Sequence, residues 1–292
     1  YKLSGKLVFT GGLHYLLLLL NQTNSLEPRA SLKWDIHPRH SLAFGYGKHS
    51  QLQGWGVYFA NRVNASGQKI LPNRDLKFSK ANHYVLSHHF SISRSLLIKT
   101  EIYYQHLYQI PVSIYDTSTL SAINTQADFI RDEMVNQGKG KNYGIEISLE
   151  KQLSRNFYYM FSTSLYQSKY TAANGKEYNT KFNGNQIFNL TAGKDFVSAS
   201  GRRTFGINIK SVYAGGYRTT PIDLQQSVAK EATVYIQDMA YTSQLPAYFR
   251  SDIRLSMKWN RKQLTSTLSL DIQNMTNRQN VYDQFYDVDT RA

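Results

Sequence analysis

From residue 37 to residue 263, tight polar turns alternate with long irregular segments. The turns fall near 37–40, 93–95, 153–156, 198–202 and 260–263, and between them lie longer segments near 60–79, 110–139, 169–183 and 215–245. The stretches that join them alternate in polarity. Phe249, Ser251, Ile253, Leu255, Met257 and Trp259 share one phase, while Arg250, Asp252, Arg254, Ser256 and Lys258 hold the other. Successive strand side chains point to opposite faces, so this strand is greasy on one side and charged on the other. A chain that crosses a membrane repeatedly, with tight turns on one side and large loops on the other, produces this rhythm. A Greek-key sandwich has no reason to. The expected fold class is all-β: an antiparallel transmembrane β-barrel, or a partial barrel of about eleven strands.

The same period recurs along the chain. After the turn at 260–263, Leu264, Leu268, Leu270 and Ile272 oppose Thr265, Thr267, Ser269, Asp271 and Gln273. Further strands are predicted at 2–20, linked through 21–27 to 28–36, then at 41 to about 59, 80–92, 96–109, 141–152, 157–168, 184–197 and 203–214. In the third of these, Leu42, Phe44 and Tyr46 oppose Ala43, Gly45 and Gly47, a small-residue face that lets another backbone or a plug approach. Trp34 and Trp259 precede tight turns, Phe157 follows one, and Phe196 and Phe205 flank another. Rings with an apolar body and a polar edge favour the membrane interface, so these five are expected to form a girdle on the turn side.

Composition agrees with this fold. Mean hydropathy is −0.47, which a barrel tolerates because only one face of each strand meets lipid. No apolar run approaches the ~18–20 residues of a membrane helix, the greasiest being YLLLLL at 15–20, closed by Asn21. No secretory leader opens the chain, so Tyr1 reads as a processed or truncated start. Lys and Arg number 34 against 20 Asp and Glu, a net +14. These cations are dispersed and belong to no nucleic-acid motif, so no nucleic acid is expected as a partner. Outer-membrane lipid and the phosphates of lipopolysaccharide are the expected anionic contacts, with a merely solvated rim as the alternative.

Five stretches resemble the later barrel of TonB-dependent receptors: SLEPRASLKW (25–34), HSLAFGYGKHSQLQ (40–53), PNRDLKFSKANHYVLSHHFSIS (72–93), GKGKNYGIEISLEKQLSRNFYYMFSTSLYQSKY (138–170) and LDIQNMTNRQNV (270–281). The likeness spans nearly the whole chain. It is nearest to the type with an N-terminal carboxypeptidase-regulatory-like domain, the nutrient-binding outer-membrane proteins. The resemblance implies a barrel of 22 strands, of which residues 1–292 supply the C-terminal half as one segment, with the plug domain, the TonB box and the final strands outside it. It also implies an integral outer-membrane location and TonB-dependent uptake. The implied partners are the protein's own plug, the TonB complex, a surface lipoprotein, and a small-molecule, glycan or peptide solute.

Two sets of residues are candidates for that role. The charges in the inward phase are Lys33, Asp35, Lys99, Glu101, Glu146, Glu150, Arg250, Asp252, Arg254, Lys258 and Asp271. Ionised groups do not face lipid cheaply, so these should line a wet lumen, where they contact the plug or form ion pairs within the wall. The long segments carry Trp55, Tyr58, Tyr115, Tyr213, Tyr217, Arg218, Tyr235 and Tyr241, whose rings are suited to stacking on a sugar or clamping a peptide, or to packing the loops themselves. No cofactor is expected. No metal site is expected either, since the adjacent His88 and His89 must point to opposite faces of a strand. A nucleophile–base signature is absent, which disfavours an enzyme. A plug-less pore or adhesion barrel and an outer-membrane lipid hydrolase stand as the alternatives.

Overall fold

The computed structural model describes residues 1–125 and 129–290. Among these, eleven long strands follow one another in chain order in a single sheet, each antiparallel to its neighbours. They are β1 (Leu7–Leu18), β2 (Thr23–His37), β3 (His40–Gln51), β4 (Ser79–Ser93), β5 (Leu96–Ser113), β6 (Met134–Ser154), β7 (Phe157–Thr171), β8 (Gln186–Val197), β9 (Arg203–Ala214), β10 (Tyr248–Asn260) and β11 (Thr265–Ile272). A short strand, Glu177–Asn179, adds to the loop end of β7. The expected all-β partial barrel of about eleven strands is what the chain forms.

Several boundaries differ from expectation. The strand expected over 41–59 stops at Gln51, and Trp55–Phe59 forms a short helix, α1. Gly54 and Gly56 interrupt the two-residue period there, and the helix turns Val57 and Tyr58 into an apolar cluster with Leu18, Leu76, Phe78, Ile130 and Met134. The link expected over 21–27 shrinks to a tight turn at 19–22, closed by Gln22 with φ of 57°. Residues 2–6 do not join β1; instead the Tyr1 ammonium donates to the carbonyl of Phe9 at 2.7 Å. The loop expected over 110–139 is shorter, because β5 and β6 stay paired past a register shift at Gln109, whose φ of 55° absorbs it.

Directly opposed residues in a sheet share a face, so the register assigns both sides of the wall. One row reads Trp34, Leu42, His88, Thr100, Ile147, Thr163, Phe188, Tyr213, Phe249. The row beside it on the other face reads Asp35, Ser41, His89, Lys99, Ser148, Ser162, Asn189, Val212, Arg250. The apolar face exposes large side chains that water would penalise, among them Leu32, Phe44, Leu86, Ile102, Leu165 and Leu268. It is the lipid face, and the charged face lines the lumen. Trp34, Phe157, Phe196, Phe205 and Trp259 all fall on the lipid face near the tight turns, where Phe196 and Phe205 pair at 6.2 Å. On the lumen face, Tyr158 lies over Gly193, where an added Cβ would come within 2.4 Å of the ring, and its hydroxyl donates to Asn208 at 2.8 Å. Only glycine admits that ring.

Candidate functional site

The long loops all rise from one end of the sheet. The loop after β5 carries Tyr115, and the loop after β9 carries a second helix, α2 (Leu224–Lys230), together with Arg218, Tyr235 and Tyr241. Asp223 caps α2 by accepting from the backbone of Gln226 at 2.9 Å. These loops enclose a cavity of about 590 Å³ that brings Tyr115, Arg218, Tyr235 and Tyr241 together with Asp132, Lys181, Gln237 and Asp283. Aromatic faces and both signs of charge thus meet in one polar pocket, the composition that orients a small solute.

Internal contacts hold this pocket in shape. Thr119 donates to the side chain of Gln237 at 2.8 Å, and Tyr170 donates to the Thr119 carbonyl at 2.8 Å. Tyr241 packs edge-on against Tyr170 at 6.2 Å, and burial pushes its hydroxyl pKa above the usual tyrosine range. The Arg218 guanidinium donates to the Asn183 carbonyl at 3.1 Å and to Asn185 Oδ1 at 2.6 Å, binding its loop to the one that follows β7. A Cβ on Gly215 would lie 1.7 Å from the Gly184 carbonyl oxygen, so these two loops cross at backbone contact.

The other loop candidates lie elsewhere. Trp55 stands exposed on α1, with its ring near Phe59 at 5.9 Å. Tyr58 is 0% exposed and belongs to the apolar cluster. Tyr213 sits at the loop end of β9 on the lipid face, beside Phe188 at 6.0 Å. Tyr217 packs edge-on against Phe182 at 5.6 Å.

Below the loops a larger cavity of about 880 Å³ opens against the lumen face of β3 to β6. His49, Gln53, Lys80, His83, Gln105 and Asn142 are among its polar lining, with Val57 and Ile123 from the loop layer above. The two imidazoles lie 4.5 Å apart, and Asn142 donates to Gln105 at 3.0 Å. No carboxylate lines this space among the described residues.

The inward-phase charges occupy the lumen face as a set. Lys33 pairs with Asp35 at 2.9 Å, Lys99 with Glu101 at 2.5 Å and Arg250 with Asp252 at 2.8 Å, each two residues apart on one strand. Arg254 reaches across the ladder to Asp271. Glu146 lies opposite Glu101 and accepts from Ser164 at 3.4 Å, and Glu150 faces Leu97 and Met160 in the same lumen. The sequence reading overlooked Glu27, which the expected link at 21–27 concealed. It is 1% exposed on the lumen face, where its Oε2 takes both His14 and Arg29 at 2.9 Å. Its Oε1 is buried without a hydrogen-bond partner among the described residues. His88 and His89 do face opposite sides. Among the described residues no group of three or more His, Cys, Asp or Glu is placed to share a metal ion.

Comparison with known proteins places this geometry. The family model described as TonB dependent receptor-like, beta-barrel matches residues 1–275. No curated protein sequence matches the chain. Among solved structures, the outer membrane transporter YddB from Escherichia coli superposes with a TM-score of 0.61 at 16% identity, over 94% of this chain and 40% of that one. BauA, the ferric preacinetobactin receptor from Acinetobacter baumannii, gives 0.61 at 12% identity over 94% and 36%. The ferric-catecholate import receptor Fiu from E. coli K12 gives 0.58 at 13% over 89% and 32%. The chain therefore spans 32–40% of the length of these structures. With its eleven strands, its charged lumen and its loops at one end, the chain belongs to the TonB-dependent receptor-like β-barrel family, whose members are integral to the bacterial outer membrane.

Proposed function

We propose that this wall segment helps a TonB-dependent receptor to bind a scarce nutrient at the loop end and pass it inward through the lumen. The observation that carries this reading is the loop cavity, which assembles Tyr115, Arg218, Tyr235 and Tyr241 above a second cavity on the lumen face. A plug domain would meet the lumen charges and Glu27, and the TonB complex would supply the energy. A surface lipoprotein resting on the loops and lipids around the wall complete the set of partners. The solute is a small molecule, glycan or peptide. Two structural neighbours are receptors for a ferric catecholate and for ferric preacinetobactin, which favours trying the first of these. In this reading the wall binds and conducts, performs no covalent chemistry and needs no cofactor. The finer likeness to receptors with a carboxypeptidase-regulatory-like domain is part of the proposal.

The test is calorimetric titration of the full-length receptor with a ferric catecholate, an oligosaccharide and a peptide in turn. Binding of one class, weakened by Tyr235→Ala while the barrel stays folded, supports the proposal. Steady ion conductance of the full-length protein in planar bilayers, with no binding of any class, favours the plug-less pore.

A further inference from the structure

The tight turns share a charge pattern that the loop end lacks. Five of them join β2 to β3, β4 to β5, β6 to β7, β8 to β9 and β10 to β11, and each carries an arginine: Arg39, Arg94, Arg155, Arg202 and Arg261. Arg203 and Lys262 stand beside the last two. None of the five turns contains Asp or Glu. All seven cationic residues are exposed, and among the described residues none of them forms an ion pair. The carboxylates closest to these turns in sequence, Asp35, Glu150 and Asp195, lie inside strands on the lumen face, and Asp35 is already paired with Lys33 at 2.9 Å. The loop end mixes both signs, with Asp75, Asp116, Asp132, Glu133, Glu177 and Asp283 among its lysines and arginines. The cation excess of the turn rim has no counterpart there.

We propose that this rim is a docking surface for peptidoglycan, the carboxylate-bearing glycan polymer of the periplasm. Three features select that occupant. The tight turns of an outer-membrane barrel face the periplasm, so the row points away from the solute and from the outer leaflet. Neighbouring strands lie about 4.8 Å apart, so successive turns on this side recur about every 10 Å and the five span about 40 Å. A small anion meets one or two such cations, whereas an extended polymer with carboxylates at repeated intervals meets the whole row. Every turn offers a guanidinium, whose planar fork takes a carboxylate through two parallel hydrogen bonds. Ser93, Asn156 and Ser200 add hydroxyls and an amide in the same turns, groups that suit the sugar hydroxyls of a glycan strand. A lone phospholipid headgroup uses neither the spacing nor these polar groups. The inference rests on the outer-membrane placement and is independent of solute uptake.

The test is co-sedimentation of the full-length receptor, in neutral detergent micelles, with purified peptidoglycan sacculi. Wild type is compared with the rim variant Arg39→Gln/Arg94→Gln/Arg155→Gln/Arg202→Gln/Arg261→Gln. A loop control of equal charge change is Lys69→Gln/Arg74→Gln/Lys77→Gln/Lys176→Gln/Lys230→Gln. Each exposed pair contributes roughly a twofold factor, so the rim variant should bind about thirtyfold more weakly while the loop control matches wild type. Sacculi whose carboxylates have been converted to amides should lose wild-type binding by a similar factor, a comparison that needs no variant to fold. Heat-modifiable gel mobility reports the folding of each barrel separately. A wild type that stays in the supernatant, or that binds native and amidated sacculi equally, overturns the proposal. Equal sedimentation of wild type and the folded rim variant does the same. So does full displacement from sacculi by vesicles containing phosphatidylglycerol at the same anion concentration, since the rim would then serve the phosphates of the inner leaflet.

Discussion

Arg254 and Asp271 face each other directly across β10 and β11, with Nε to Oδ1 at 2.5 Å and Nη2 to Oδ2 at 2.9 Å. The next pair along the ladder, Leu255 and Leu270, points the opposite way. One residue of sequence therefore separates a bidentate ion pair in the lumen from two leucines in lipid.

That boundary predicts opposite outcomes for neighbouring substitutions. Leu255→Arg puts a guanidinium on the lipid face and should cost about 2–4 kcal/mol near the bilayer midplane. Arg254→Leu removes one partner of an exposed, wet ion pair and should leave folding intact, because such pairs contribute little to stability. Urea unfolding of the full-length receptor in vesicles reads the difference. Equal loss in both variants would contradict the face assignment.

Gly215 gives a second prediction, about the loops. Its missing Cβ lets the chain cross Gly184 at backbone contact, and the Arg218 hydrogen bonds fasten that crossing. Gly215→Ala should push the two loops apart without touching the ladder between β9 and β10. The expected result is faster protease cleavage between residues 215 and 247 on whole cells, with barrel yield unchanged. Cleavage at the wild-type rate would show that the crossing has room to spare.

The wall was legible from residues alone because a strand states its two faces in alternate letters. Phe249 to Trp259 does so without interruption, and the register then carried that reading to every neighbour. The loop layer was not legible in this way. Residues 52–59 lose the two-residue period at Gly54 and Gly56, and the helix they form is set by burial of Val57 and Tyr58 against Ile130 and Met134, more than seventy positions on. Glu27 escaped for a related reason: β2 begins with Thr-Asn-Ser, residues typical of turns, and only its pairing with β1 makes it a strand. Tyr115, Arg218, Tyr235 and Tyr241 were identifiable as loop residues, but their meeting in one cavity depends on loop crossings no local pattern encodes.

Those crossings separate tyrosines that look alike in the sequence. Tyr115 is 56% exposed and lines the loop cavity, whereas Tyr213 lies on the lipid face beside Phe188. Tyr115→Ala should weaken solute binding by about tenfold, the scale of one lost aromatic contact of roughly 1.4 kcal/mol. Tyr213→Ala should leave affinity unchanged. Calorimetry on the two variants side by side decides the matter, and equal affinities would remove Tyr115 from the site.

Tyr241 links the pocket to pH. Its hydroxyl is held above the ordinary tyrosine range chiefly by burial, with the nearby Tyr235 and Asp283 charges acting in the same direction. A group whose pKa is raised in the closed loop favours closure fully below the value it has when the loop is open, about 10 for a free tyrosine. As pH climbs past that value the open loop ionises first, and the advantage is lost progressively until the closed form also titrates. Hydrogen exchange over residues 235–245 should therefore be flat from pH 7 to 9, once corrected for intrinsic rates, and should lose protection above about pH 10. Tyr241→Phe keeps the ring and removes the proton, so its protection should hold across the same range. Identical alkaline opening in the two proteins would mean that another group controls the loop.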